Sequence, residues 1–189
     1  MQNNWVWERD GFVLRSARAE DAENYYHQNY DPLDQEVARL TGCKASFTKE
    51  EVLSFFQKSI DDAERYFFLI LAPDGRIVGE SVINEIDWDT RCANFRIAIF
   101  HQTERGLGIG TWAIETTRDF AFAELKLHRL ELDVYSFNPR AEKAYLKAGF
   151  KREGVRRDAI LDGEKYEDDI LMSLLEDEWR ELKSSACHN

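Results

Sequence analysis

The sequence predicts an α+β fold: a mostly antiparallel mixed sheet with helices on both faces, in a three-layer α/β/α arrangement. Three observations lead there. Apolar alternation broken by turn residues fills residues 65–100, as in an antiparallel meander. The period becomes helical over residues 108–125 and alternates again over 129–135, which makes one strand–helix–strand crossover. A closing hairpin is written at residues 150–175, around Leu161-Asp-Gly-Glu164.

In chain order, residues 12–16 (Phe-Val-Leu-Arg-Ser) alternate and read as the first strand. Residues 19–30 read as a helix with Ala22, Tyr25 and Tyr26 inward. Residues 28–47 are weakly patterned, although Glu36, Val37 and Leu40 carry a short helical signal. Thr48-Lys-Glu-Glu51 is a capping box, in which the Thr48 hydroxyl accepts from the Glu51 amide and the Glu51 carboxylate reaches back. The helix it opens lines up Val52, Leu53, Phe56, Ile60 and Ala63.

Strands at 65–72 and 77–86 flank the Pro73-Asp-Gly75 turn, and polar residues 87–91 lead to a strand at 92–100. Within the helix at 108–125, Glu115, Arg118 and Asp119 fall on one face, expected to be exposed. Leu130, Leu132 and Val134 alternate with charge along 129–135. Asn138 is a good N-cap, Pro139 occupies the favoured first helical position, and Ala141, Ala144, Tyr145 and Ala148 form the inner stripe. Gly149 ends that helix as a left-handed cap. Strands at 150–159 and 165–175 and a helical tail at 176–182 complete the chain. No repeat or linker interrupts it, so residues 1–189 read as one domain.

The 189 residues carry 25 Lys+Arg against 36 Asp+Glu, a net charge of −11, which disfavours nucleic-acid or anionic-membrane partners. With 43 % apolar residues and only 10 Gly and 3 Pro, collagen-like and disordered classes are excluded. Cys43, Cys92 and Cys187 are odd in number and lack zinc-like spacing, so neither a disulfide framework nor a metal site is expected. The N-terminus has no signal-peptide pattern and no uncharged apolar run approaches membrane-spanning length. A cytoplasmic protein is the expectation.

The most informative segment runs from Phe95-Arg-Ile-Ala-Ile-Phe100 into His101-Gln-Thr-Glu-Arg-Gly-Leu-Gly-Ile-Gly-Thr111. A strand enters a loop with Gly106, Gly108 and Gly110, and a helix leaves it. Glycine lets the backbone turn tightly and approach a ligand, while the unpaired amides of the helix start carry the positive end of its dipole. The result is a socket for a phosphate or pyrophosphate. No Gly-Lys-Ser/Thr follows, so this is not a triphosphate loop. A dinucleotide fingerprint would have to end at Ala113, in mid-chain after a meander. A glycine-rich connection without a ligand is the bland alternative.

Arg105-Gly106-Leu107-Gly108-Ile109-Gly110 resembles the Gln/Arg-x-x-Gly-x-Gly/Ala signature of the GNAT superfamily of acyl-CoA N-acyltransferases. Asn138-Pro-Arg-Ala-Glu-Lys-Ala-Tyr-Leu-Lys-Ala-Gly-Phe150 is similar to that family's Asn-x-x-Ala-x-x-x-Tyr-x-Lys-x-Gly-Phe block. Asp34-Gln-Glu-Val-Ala-Arg-Leu-Thr-Gly42 and Asp169-Ile-Leu-Met-Ser-Leu-Leu175 resemble the branch of ribosomal-protein alanine (RimJ/RimL-type) and spermidine acetyltransferases. The resemblance implies the GNAT fold and acetyl-CoA as acyl donor. It implies that the backbone of Ile97, Ile99 and Phe100 holds the pantetheine arm. It assigns the pyrophosphate to the backbone of Arg105, Gly106, Leu107, Gly108, Ile109, Gly110 and Thr111.

By the same resemblance Asn138 contacts the arm, Tyr145 is the acid for the leaving thiolate, and an amide at Ile99 or a neighbour stabilises the oxyanion. A core tyrosine with its hydroxyl tied off is the competing reading of Tyr145, and simple N-capping that of Asn138. Relatives often carry a Glu where Asn94 stands, and an amide cannot be a base. Glu80, Glu85 and Asp87 on the neighbouring strand are the substitutes, with Glu80 and Asp133 serving only if they point into the cleft; solvated charge is the bland reading of each, and a water chain to bulk solvent is the alternative to any side-chain base. His101 reads as a polar strand end. The acetyl acceptor is expected to be a primary amine, either a small amine such as a polyamine or a protein N-terminus, attacking within a ternary complex. The protein would act as monomer or homodimer. A CoA-binding sensor that has lost turnover is the alternative, favoured by Asn94.

Overall fold

A computed structural model describes residues 4–186, so Cys187 lies outside the described residues. β1 (Val6–Arg9), β2 (Phe12–Ser16), β3 (Tyr66–Leu71), β4 (Ile77–Asp87), β5 (Cys92–Ile99), β6 (Arg129–Tyr135), β7 (Lys151–Asp162) and β8 (Lys165–Leu175) form one sheet. Its order is β1-β2-β3-β4-β5-β6-β8-β7, antiparallel throughout except for the parallel β5–β6 pair. The helices are α1 (Ala22–Asn29), α2 (Gln35–Thr41), α3 (Lys49–Asp61), α4 (Ile109–Ala123), α5 (Pro139–Lys147) and α6 (Glu176–Ala186). This is the expected α+β architecture.

Strand alternation builds two cores, one on each face. Phe67, Leu69 and Val82 face Tyr25, Val37, Val52 and Phe56 of α1–α3. Phe68, Ile70, Ile83 and Phe95 face Trp112, Ala113 and Phe120 of α4 and Tyr145 of α5. The capping box at Thr48 forms with both of its hydrogen bonds, and Asn138 caps α5 by accepting from the Ala141 amide at 3.2 Å.

The sequence reading missed β1. It pairs with β2 across Asp10-Gly11, both at positive φ, so a two-residue hairpin precedes the strand read as first. Arg118 is a second correction. It is buried, because its guanidinium donates to the Ala148 carbonyl at 2.6 Å and to Asp119 Oδ1. Asp119 in turn accepts from Trp179 and Lys183 of α6. The expected exposed face is therefore a junction that holds the end of α5 and the side of α6 against α4. Arg118→Met keeps the aliphatic stem and strands these acceptors; it should lower unfolding free energy by about 3 kcal/mol in urea titrations.

Candidate active site

β5 and β6 pair only from Cys92–Arg129 to Asn94–Glu131, although both strands run on for several residues. Past Asn94 the two part and open a cleft in mid-sheet. A cavity of about 750 Å³ fills it, lined from β5, β6, α2, α5 and the glycine loop. On its far side β5 stays bonded to β4, with Glu80 opposite Ala98 and Val82 opposite Arg96.

That pairing decides which backbone groups are free. The Phe100 amide donates to the Val78 carbonyl at 2.9 Å, so it points toward β4. Alternation then turns the backbone of Ile97 and Ile99 toward the cleft. The Ile99 carbonyl bears this out by accepting from Arg105 at 3.4 Å. Ile97 and Ile99 thus offer backbone groups to a ligand lying along β5. The Phe100 amide is taken by β4, although Phe100 also lines the cavity.

The loop reaches α4 through Gly106 at φ +84° and Gly108 at φ +79°, conformations that a side chain at either position would strain. Gly108 is the N-cap and no side chain caps it, so the first amides of α4, beside the cavity-lining Gly108, Gly110 and Thr111, lack a side-chain acceptor among the described residues. Gly106, Gly108, Gly110 and Thr111 line the cavity. Ile109 does not; it is buried in the core and anchors the first turn of α4. Leu107 is exposed at 62 % and points away. The Arg105 guanidinium folds back onto Glu36 at 2.6 Å and the Ile99 carbonyl, which ties the loop to α2.

α5 brings Asn138 and Tyr145 to the same cavity. Tyr145 is buried, with its ring edge-on to Phe95 and Phe150, yet among the described residues nothing hydrogen-bonds its hydroxyl. Burial and the charge of Asp133 push its pKa above the usual phenol value, so it stays protonated. The tied-off core tyrosine is not what is found. α5 also presents Arg140, Lys143 and Lys147 to the cavity, spaced to lie along one helix face and without an ion pair among the described residues. The spacing was legible in the sequence; which face docked was not.

Glu80 and Glu85 separate. Glu80 is buried and lines the cavity, where Tyr25 donates to its Oε2 at 2.5 Å and Arg96 lies 3.8 Å from Oε1. Burial raises its pKa above the usual carboxylate range, against the opposing pull of Arg96 and Tyr25. Glu85 sits on a β-bulge between Asn84 and Asp87, at φ +53°, exposed and outside the cavity lining. Asn94 and Asp133 line the cavity. Among the described residues no group of His, Cys, Asp and Glu could hold a metal ion, and no helix is long and apolar enough to cross a membrane.

The family model described as "Acetyltransferase (GNAT) domain" matches residues 12–151. Spermidine N(1)-acetyltransferase of Escherichia coli K12 is 30 % identical over 130 residues, 68 % of each chain. The crystal structure of a Vibrio cholerae spermidine N-acetyltransferase in complex with CoA and spermine superposes with TM-score 0.80 at 23 % identity, covering 90 % of this chain and 99 % of that one. A ribosomal-protein-S5-alanine acetyltransferase from Vibrio fischeri superposes with TM-score 0.75 at 20 % identity, over 93 % and 98 % of the two chains.

Proposed function

The chain belongs to the GNAT acetyltransferase family, and on that premise we propose that it moves an acetyl group from acetyl-CoA directly to a primary amine within a ternary complex. The observation that carries the reading is the parting of β5 and β6, which turns β5 backbone groups into the cleft beside a Tyr145 hydroxyl that has no hydrogen-bond partner among the described residues. The residues fit the donor along its length. Unpaired α4 amides suit a pyrophosphate, and the Ile97 and Ile99 backbone suits an amide-bearing arm. Asn138 borders the same space, and Arg140, Lys143 and Lys147 offer positive charge in a chain of net charge −11. Acetyl-CoA supplies the thioester electrophile when bound.

The chain's own groups do the rest. The β5 backbone orients the donor, Tyr145 donates to the departing sulfur, and Glu80 takes the proton that the amine must lose. An acidic, cavity-facing Asp133 suits a cationic acceptor such as a polyamine, while a peptide N-terminus is the other acceptor class. We take the chain as a single domain. Glu85 has no part in this scheme.

Calorimetric titration with acetyl-CoA, CoA and ATP tests the first half. Thiol release with spermidine, an aminoglycoside and peptides starting in Ala or Ser tests the second. Binding of CoA but not ATP, with release on one amine class, is the expected result. CoA binding without release on any amine would favour a sensor, and no CoA binding would sink the proposal. Reversing the charge of Lys143 and Lys147 together should weaken CoA binding by about tenfold at low salt and by less at high salt, because such exposed charges are screened.

A further inference from the structure

Tyr25 has no place in the scheme above, yet it is wholly buried and its hydroxyl touches two others. Its Oη lies 2.5 Å from Glu80 Oε2 and 3.0 Å from Tyr30 Oη. The directions of these bonds follow from the chemistry. An ionised carboxylate only accepts, so Tyr25 donates its one proton to Glu80. Its oxygen can then only accept from Tyr30, and the Tyr30 proton is committed inward. Tyr30 lines the cavity. What it presents there is lone pairs, which suit a group that brings protons and accepts none. A protonated amine is such a group.

We infer that Tyr30, Tyr25 and Glu80 form a proton wire that carries one proton from the acceptor's ammonium at the cleft wall to a buried carboxylate. The step balances. An N–H bond of the ammonium breaks as an O–H bond forms on Tyr30; the Tyr30 proton passes to Tyr25 and the Tyr25 proton to Glu80. Ammonium and carboxylate become amine and carboxylic acid, and both tyrosines end neutral. The inference rests on the proposed amine acetylation and adds the route by which Glu80 is reached. The titratable and charged groups that face Glu80 are Tyr25 and Tyr30 from the α1 segment, Arg96 from β5 and Arg65 from the approach to β3. Both cations favour its ionised form, the one that can receive a proton.

Tyr→Phe changes suit the test, because the Tyr25 ring packs on Phe56, Phe67 and Phe100 and would keep those contacts. With spermidine as the probe amine, Tyr25→Phe and Tyr30→Phe should each lower kcat by about 100-fold near neutral pH, with acetyl-CoA binding unchanged. The double variant should be no slower than the slower single, since two breaks in one series cost no more than one. The defect should shrink as pH approaches about 10, where more of the amine arrives already deprotonated. Retention of kcat within about threefold, or losses that multiply in the double variant, would overturn the wire.

A second measurement needs no acceptor. In a carbon-13 NMR titration of the Glu80 carboxylate, Tyr30→Phe, which removes no direct contact of Glu80, should move the titration upward by weakening the Tyr25 donor. An unmoved titration overturns the wire. Failure of the underlying reading would look different: wild-type protein that binds no acetyl-CoA, whatever the titration shows.

Discussion

Tyr145→Phe should leave acetyl-CoA affinity and thermal stability near wild type and cut kcat on the order of 100-fold. The ring accounts for the first half. Its edge-on contacts with Phe95 and Phe150 are made by carbon, and the hydroxyl has no partner among the described residues to lose. The second half follows from proton energetics. An ordinary thiol ionises near pH 8.5 and an ordinary phenol near 10, so handing the proton over completely is uphill by about 2 kcal/mol before burial is considered. Burial and Asp133 push Tyr145 further in that direction. In the proposed reaction Tyr145 would therefore help most as a hydrogen-bond donor to sulfur while charge develops there, which places the expected effect toward the lower end of the range for acid–base groups. Steady-state thiol release and calorimetry on the variant separate kcat from binding. Unchanged turnover would remove Tyr145 from the mechanism, and weakened binding with kcat retained would make it a packing residue.

What could be foreseen here was local. A capping box, an N-cap with proline after it, and glycines between strand and helix each state their geometry within a few residues, and Thr48, Asn138 and Gly108 sit as expected. Asp10-Gly11, the positive-φ pair that joins β1 to β2, is an equally local signal. The misjudged residues depend on partners distant in sequence. Arg118 looks like a surface charge until the Ala148 carbonyl, thirty positions on, is brought against it. That the Phe100 amide is engaged by Val78 likewise depends on a partner more than twenty residues away. The bulge that turns Glu85 out of the cleft is a property of how β4 pairs with β5, and β4 alone does not encode it. The hydroxyl chain from Tyr30 to Glu80 joins residues fifty apart, so nothing in either segment announced the other. The two motifs mark the glycine loop and α5, the walls proposed for the donor, whereas the wall proposed for the acceptor is assembled from contacts that no motif records.

Gly110→Asp should divide stability from function more sharply than any other single change. Gly110 lies in the first turn of α4, and a Cβ built there meets only Ile99 Cγ1 at 3.7 Å, an ordinary contact. Unlike Gly106 and Gly108, it has no positive φ to defend. A carboxylate in the first turn of a helix interacts favourably with the dipole, by about 0.5 kcal/mol, and replacing glycine inside a helix adds a similar amount. The variant should therefore melt at or slightly above the wild-type temperature. At the same point its charge would face the place proposed for a pyrophosphate. Unit charges about 5 Å apart repel by roughly 3 kcal/mol at the effective dielectric of a protein surface, which corresponds to a loss of CoA affinity on the order of 100-fold. Gly110→Ala separates charge from bulk and should bind CoA within about threefold of wild type. If Gly110→Asp binds CoA normally while melting higher, the anion does not sit at the α4 N-terminus. If both variants lose binding equally, the backbone approaches its ligand too closely for any Cβ, and the loss is steric.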